Sequence, residues 1–231
     1  MATEIAVIAG AGSGLSASLA RLLSREGFRV VLAARNIGKL TPLVEETGAL
    51  AVETDVADAA SVENLFAVAD KAGPLSLAVF NASGRVRGPI AELDPEAVRQ
   101  ALLVGAYGGF LVGQQAARRL LARGSGSILF TGATASVKGM SGSAGFAMPK
   151  FGLRGLVQSM ARELAPKNIH VAHFIIDGGI APKGSGQADE TGQPDRRLSP
   201  DAIAETYLAI HRQHRSAWTW ELELRPWVEN F

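Results

Sequence analysis

The sequence predicts an α/β fold: one domain built on a doubly wound parallel sheet of about seven strands, held between two layers of helices as a three-layer α/β/α sandwich. Three observations predict it. Short apolar runs and helix-period segments alternate along all 231 residues, the order that puts crossover helices on both faces of a parallel sheet. The runs lack polar alternation, as strands buried on both faces require. No composition break, repeat or linker divides the chain, so residues 1–231 read as one domain.

The elements follow in order. Ile5–Ala9 (IAVIA) is the first strand, ended by Gly10-Ala11-Gly12-Ser13-Gly14. Leu15, Leu19, Leu22 and Leu23 recur at helical spacing until Gly27 stops the helix. Phe28–Ala34 is the second strand, Lys39 to Glu46 the second helix, and Leu50–Asp55 the third strand. Ser61 reads as the N-cap of a helix that turns Val62, Leu65, Phe66 and Ala69 inward. Leu75–Asn81 is the fourth strand. Asp94-Pro95-Glu96 opens a helix that runs with interruptions to about Arg123. Ser127–Thr131, a long helix from Ser143 to Ala165, and His170–Ile176 come next. Ser199-Pro200-Asp201 opens a last helix through His211, and Trp218–Leu224 is the final strand. The segment from Asp177 to Leu198 is polar and longer than the ~12–15 residues of an ordinary loop. It reads as either a disordered linker or a lid over a site, at about residues 177–198, and its place after a strand's carboxyl end favours the lid.

Composition excludes several function classes. Lys+Arg 23 against Asp+Glu 22 leaves a net charge of +1 with no basic stripe, which argues against nucleic acid as a partner. The absence of Cys rules out a disulfide framework, a thiolate metal site and a cysteine nucleophile. No run approaches the ~18 apolar residues of a membrane span, and Met1-Ala2-Thr3-Glu4 lacks the charged start of a signal peptide. A cytoplasmic protein with no membrane partner is the expectation. The 26 glycines exceed the ~7% of an average chain and need a reason.

Gly10, Gly12 and Gly14 lie between the first strand and the first helix. Glycine there permits a tight turn, close approach of backbone to a pyrophosphate, and packing of helix on strand. The helix N-terminus then offers free N–H groups and partial positive charge to the anion. Gly10, Gly12, Ser13, Gly14 and Leu15 are therefore candidate dinucleotide contacts.

The spacing resembles the Thr-Gly-x-x-x-Gly-x-Gly loop of the short-chain dehydrogenase/reductase family, with Ala9 for Thr and Ser16 for the last Gly. Asp55-Val56 resembles the family's adenine-contacting Asp-Val, and Asn81-Ala82-Ser83 resembles a reduced Asn-Asn-Ala-Gly. The resemblance covers nearly the whole chain. It implies a Rossmann fold, a nicotinamide dinucleotide, hydride transfer to or from the carbonyl or alcohol of a small molecule, and a homo-oligomer (dimer or tetramer). It adds Asp55, Val56, Asn81, Ala82 and Ser83 to the cofactor contacts. Where an NAD-selective member carries Asp or Glu at the end of the second strand, this chain has Ala34, followed by Arg35, which can pair with a 2′-phosphate. NADP(H) is favoured over NAD(H).

The resemblance also implies a catalytic Tyr and Lys four residues apart on one helix face, with a Ser about thirteen residues upstream. In the family the ammonium lowers the phenol's pKa and binds the nicotinamide ribose, and the phenol is the general acid/base. Here Lys150 is kept, but the Tyr position is Phe146 and the Ser position is Ala133. The family's helix asparagine aligns near Gly105, and its Pro-Gly after the sixth strand aligns near Asp177-Gly178. Thr134, Ser143 and Tyr107 are the hydroxyls available as substitute donors. Three readings stay open: an NADP(H) oxidoreductase with a non-standard catalytic site, a catalytically impaired dinucleotide-binding protein serving as redox sensor or oligomer partner, or chemistry on a substrate that carries its own acid.

Other features have plainer readings. His170 and His173 are expected on one face of a predicted strand, a geometry metal sites can use, but no carboxylate or cysteine at ligand spacing accompanies them, so core or interface histidines and no metal are expected. His211 and His214 suit a helix C-terminus, and Arg118, Arg119 and Arg123 a solvated helix face. Trp218, Trp220 and Trp227 fit either a subunit interface or packing within the chain. Gly108-Gly109 suggests close helix contact, within the chain or across a dimer.

Overall fold

The computed structural model describes residues 3–182 and 195–229. Its strands are β1 (Ile5–Ala9), β2 (Arg29–Ala34), β3 (Leu50–Glu53), β4 (Leu75–Phe80), β5 (Gly126–Thr131), β6 (Ile169–Ile176), β7 (Gly179–Ile180), β8 (Arg197–Leu198) and β9 (Glu221–Leu224). Seven of them form one sheet in the order β3-β2-β1-β4-β5-β6-β9, every neighbouring pair parallel. The order reverses between β1 and β4, so the loops leaving those strands diverge and open a crevice at the carboxyl edge.

The apolar runs of β1, β4 and β6 are buried throughout, because helices cover both sheet faces. On one side pack α1 (Leu15–Arg25), α2 (Thr41–Thr47) and α7 (Pro200–His211), with Leu19, Leu43 and Tyr207 facing the sheet. On the other pack α3 (Ala59–Ala72), α5 (Gly108–Arg123) and α6 (Ala144–Leu164) through Phe66, Val112 and Leu153, with α4 (Pro95–Leu102) resting on α6. Phe66, Phe80 and Phe130 are fully buried, and each such side chain contributes roughly 1.5–3 kcal/mol. This is the three-layer sandwich the alternation of elements predicts.

Several boundaries differ, each for a physical reason. Asp58, not Ser61, caps α3: its carboxylate accepts the Ser61 amide at 2.7 Å. Ser61 instead accepts the Asp55 amide at 3.0 Å, tying the end of β3 to the helix. The second helix opens with a tight turn over Ile37–Leu40 before α2 begins beside Pro42. Between α4 and α5 the backbone widens over Leu103–Tyr107. There Gly105 lies against α6, and a Cβ on it would stand 2.8 Å from that of Pro149, so no larger residue fits.

The final strand is only Glu221–Leu224. Trp218 stacks on His170 with ring centres 4.7 Å apart, and Trp220 packs on the core, whereas Trp227 is exposed. His170 and His173, three positions apart, face opposite sides of the sheet, and among the described residues no cluster of three His, Asp or Glu forms. His211 is not a solvated cation at a helix end: its Nδ1 lies 3.0 Å from Ser127 Oγ, and burial pushes its pKa down to about 4. Gly108 and Gly109 serve contacts inside the chain, against Val56 and Leu153. The expected lid has an ordered base, where β7 pairs with β8 and the Asp177 amide donates to the Leu224 carbonyl at 2.8 Å. Residues 183–194 of that segment lie outside the described residues. No described helix is long and apolar enough to cross a membrane.

Candidate active site

The glycine loop is held by a short chain of hydrogen bonds. Gly10 adopts φ +92°, and a Cβ there would come within 2.3 Å of the Ala82 nitrogen, so only glycine allows the β1 and β4 loops to touch. Ser16 Oγ donates to the Gly10 carbonyl at 3.0 Å and accepts from Asn81 Nδ2 at 2.7 Å. Ser16 thus performs a structural task at the position where the resemblance places a glycine, and Asn81 braces the loop. Around Gly12 and Gly14 there is open space. The α1 N-cap, Gly14, makes no side-chain hydrogen bond and the first turn holds no acid, so its amides stay available to an anion.

A cleft of about 540 Å³ runs from this loop across the switch point. Gly10, Gly12 and Ser13 form one end, Asp55, Val56, Asn81, Ala82 and Ser83 its middle, and Ala34, Arg35 and Lys39 the far end. Asp55 is engaged locally, its carboxylate accepting the Ala57 amide at 2.9 Å. Arg35 and Lys39 are exposed and make no ion pair among the described residues. Lys39 lines this end of the cleft although the sequence alone did not single it out; its one-turn spacing from Arg35 is the signal. A smaller lobe of about 260 Å³ continues past Gly14 and Leu15 to Ile180, Ala181 and Pro182, so the base of the expected lid borders the cleft.

Beyond the switch point stands α6. Lys150 is 4% exposed, and its ammonium donates to the Thr131 carbonyl at 2.8 Å. Burial disfavours the charged form and pushes its pKa down to about 8. Phe146 lies one turn earlier, its ring centre 5.9 Å from Lys150 Nζ. It walls a cavity of about 300 Å³ together with Ala133, Thr134 and Ser143. The Ala133 amide donates to Ser136 Oγ at 3.1 Å, and the Thr134 hydroxyl donates to the Asp177 carboxylate. Thr134 thereby presents lone pairs rather than a proton to the cavity. Tyr107 is 43% exposed and stacks on Phe110; it is not part of this wall.

A second polar group, partly buried, joins α6 to β6 and β9. Arg154 grips both oxygens of Glu221 at 2.6 and 2.7 Å, and Glu221 also lies 3.0 Å from His173 Nδ1. Burial outweighs that carboxylate and pushes the His173 pKa down to about 4. The Tyr207 hydroxyl, 2.8 Å from Thr131 Oγ1, is raised by burial and stays neutral.

A profile of the short chain dehydrogenase family matches residues 4–189. A cis-4-hydroxycyclohexanecarboxylate dehydrogenase of Sinomonas cyclohexanicum is 34% identical over 176 residues, spanning 74% of this chain and 71% of its own. Among solved structures, a short-chain dehydrogenase from Rhodopseudomonas palustris aligns with a TM-score of 0.85 and 40% identity, over 97% of this chain and 99% of that one. A metagenomic short-chain oxidoreductase in complex with NADP aligns with a TM-score of 0.82 at 25% identity, over 98% of each chain.

Proposed function

This chain belongs to the short-chain dehydrogenase/reductase family, and we propose that within it the protein is an NADP(H)-dependent oxidoreductase of small carbonyl or alcohol compounds with Lys150 as its remaining catalytic side chain. The observation that carries the cofactor choice is the far end of the cleft. Among the described residues Arg35 and Lys39 make no ion pair there, and Ala34 puts no carboxylate at the end of β2 to take ribose hydroxyls. Two cations fit a 2′-phosphate. The open space at Gly12 and Gly14, together with the uncapped start of α1, fits a pyrophosphate. When bound, a dinucleotide would supply the hydride-transfer chemistry.

The chain's own contribution centres on Lys150. Its buried ammonium places positive charge on the floor of the site and holds a proton that its depressed pKa lets it release near neutral pH. Phe146 has no proton to give, so it shapes the cavity and excludes water. The Sinomonas relative acts, by its name, on a ring alcohol, and we carry the same alcohol–carbonyl interconversion to this chain. The test is a fluorescence titration with NADPH and NADH, followed by a carbonyl panel. Tighter NADPH binding with carbonyl-dependent oxidation supports the proposal. Binding without turnover on any carbonyl would make the protein a silent dinucleotide binder, and no binding would remove the whole reading.

A further inference from the structure

The cavity at Phe146 carries an unexplained concentration of positive charge. The guanidinium carbons of Arg85 and Arg87 lie 5.5 and 5.9 Å from the centre of the Phe146 ring. Lys138 lines the same cavity, and no described lining residue is acidic; the neighbouring Asp177 carboxylate is engaged by the Thr134 hydroxyl. Among the described residues neither arginine makes an ion pair. Two guanidiniums over one ring repel each other, and the cation–π attraction at such partly exposed sites is weak. Such a cluster concentrates anions.

The cluster is also held in place. The loop after β4 packs so closely that a Cβ on Gly84 would stand 2.6 Å from the Ala101 Cα. Val86 lies on Gly145, at 3.0 Å from where a Cβ would be, and the Gly88 amide donates to the Gly142 carbonyl at 2.9 Å. Val86 therefore anchors the loop to α6 while its two neighbours reach the Phe146 ring. Stacked on an aromatic face, a guanidinium keeps its N–H edge for a carboxylate or phosphate.

We propose that this cavity recognises an oxyanion group, carboxylate or phosphate, on the substrate, held by Arg85 and Arg87 with Lys138 at the rim. The inference rests on the oxidoreductase reading, since it assigns the oxyanion to the reacting molecule. It also gives Phe146 a purpose. A phenol among these cations would ionise readily and become an internal counterion, whereas a phenyl ring leaves their charge for the substrate.

The experiment compares matched ketones with the NADPH-loaded enzyme: 4-oxopentanoate against 4-oxopentanamide, and dihydroxyacetone phosphate against dihydroxyacetone. Specificity is read as kcat/KM, and affinity for the enzyme–NADPH complex by calorimetry, so the outcome does not depend on turnover. An NADPH titration on the same samples separates failure of the cofactor reading from failure of this one. The expected result is a preference of about 10–100-fold for at least one charged partner over its neutral match, and which pair shows it identifies the oxyanion. In the Arg85→Gln/Arg87→Gln double variant that ratio falls toward one; both side chains are exposed, and an unchanged unfolding midpoint checks the fold. NADPH binding with equal or better affinity for both neutral partners, or a ratio untouched by the double substitution, would overturn the proposal.

Discussion

Lys150 Nζ lies 5.9 Å from the centre of the Phe146 ring and, among the described residues, makes one hydrogen bond, to the Thr131 carbonyl at 2.8 Å. The ammonium therefore has no hydroxyl partner on its own helix face. It is nonetheless buried, with the Thr131 carbonyl as its hydrogen-bond partner. The site keeps its cation while the phenol it would assist is a phenyl ring.

Restoring the phenol should reveal what that cation does. In Phe146→Tyr the new hydroxyl enters a setting of Lys150, Arg85 and Arg87, all of which favour phenolate. Its pKa, followed by tyrosinate absorbance, is expected below the usual ~10. Turnover of neutral ketones is expected to rise, by about 10²-fold or more when Ala133→Ser is added. A phenol titrating at or above its ordinary value would show that the cations do not act at this position.

Cofactor choice should follow Arg35 and Lys39 at the cleft's end. Arg35→Ala/Lys39→Ala is expected to weaken NADPH by about 10–100-fold, the loss of two charge-assisted contacts, and to leave NADH within about threefold. Fluorescence titration of both cofactors measures it. An equal loss for both would mean that these side chains do not read the 2′-phosphate.

Acid stability tests the buried imidazoles. His173 and His211 both sit at about 4, below the ordinary 6.5, because burial disfavours the charged ring. Between pH 6.5 and 4 the unfolded chain binds protons that the folded chain refuses, so stability falls as pH falls through that window. Each ring contributes up to about 3 kcal/mol. Urea unfolding at pH 7 and pH 5 is expected to show the lower midpoint at pH 5. A midpoint that is flat or higher at pH 5 would contradict the assignment.

Assembly is the fourth expectation. Tyr107, Phe110, Met148 and Phe151 are 41–50% exposed on α5, α6 and the turn before α5, an apolar surface suited to a second copy. Light scattering after gel filtration is expected to give a homo-oligomer, and Phe110→Asp a smaller species. A wild-type monomer would reject this interface.

Much of the fold was legible because the signals were local. The spacing of Gly10, Gly12 and Gly14 marked the turn between β1 and α1, and apolar runs marked the sheet. What escaped depended on tertiary geometry. Asp58 and Ser61 are both good caps three residues apart, and only the folded backbone shows that Asp58 takes the helix while Ser61 takes the strand end. Ser16 looked like a loss of glycine, yet it anchors Asn81, 65 positions away. Arg85 and Arg87 sit in a segment without periodicity, and nothing in their spacing points to a ring that arrives from α6. The tryptophans near the C-terminus gave no hint that His170 would take one of them.

In the proposed function Lys150 sustains NADPH-dependent turnover without a tyrosine. The most direct measurement is NADPH oxidation across a carbonyl panel by the wild type and by Lys150→Ala, each shown to be folded and to bind NADPH. The predicted result is carbonyl-dependent oxidation that drops by about 10²–10⁴-fold in Lys150→Ala. Saturable NADPH binding with no oxidation by the wild type, or equal rates in both proteins, would contradict it.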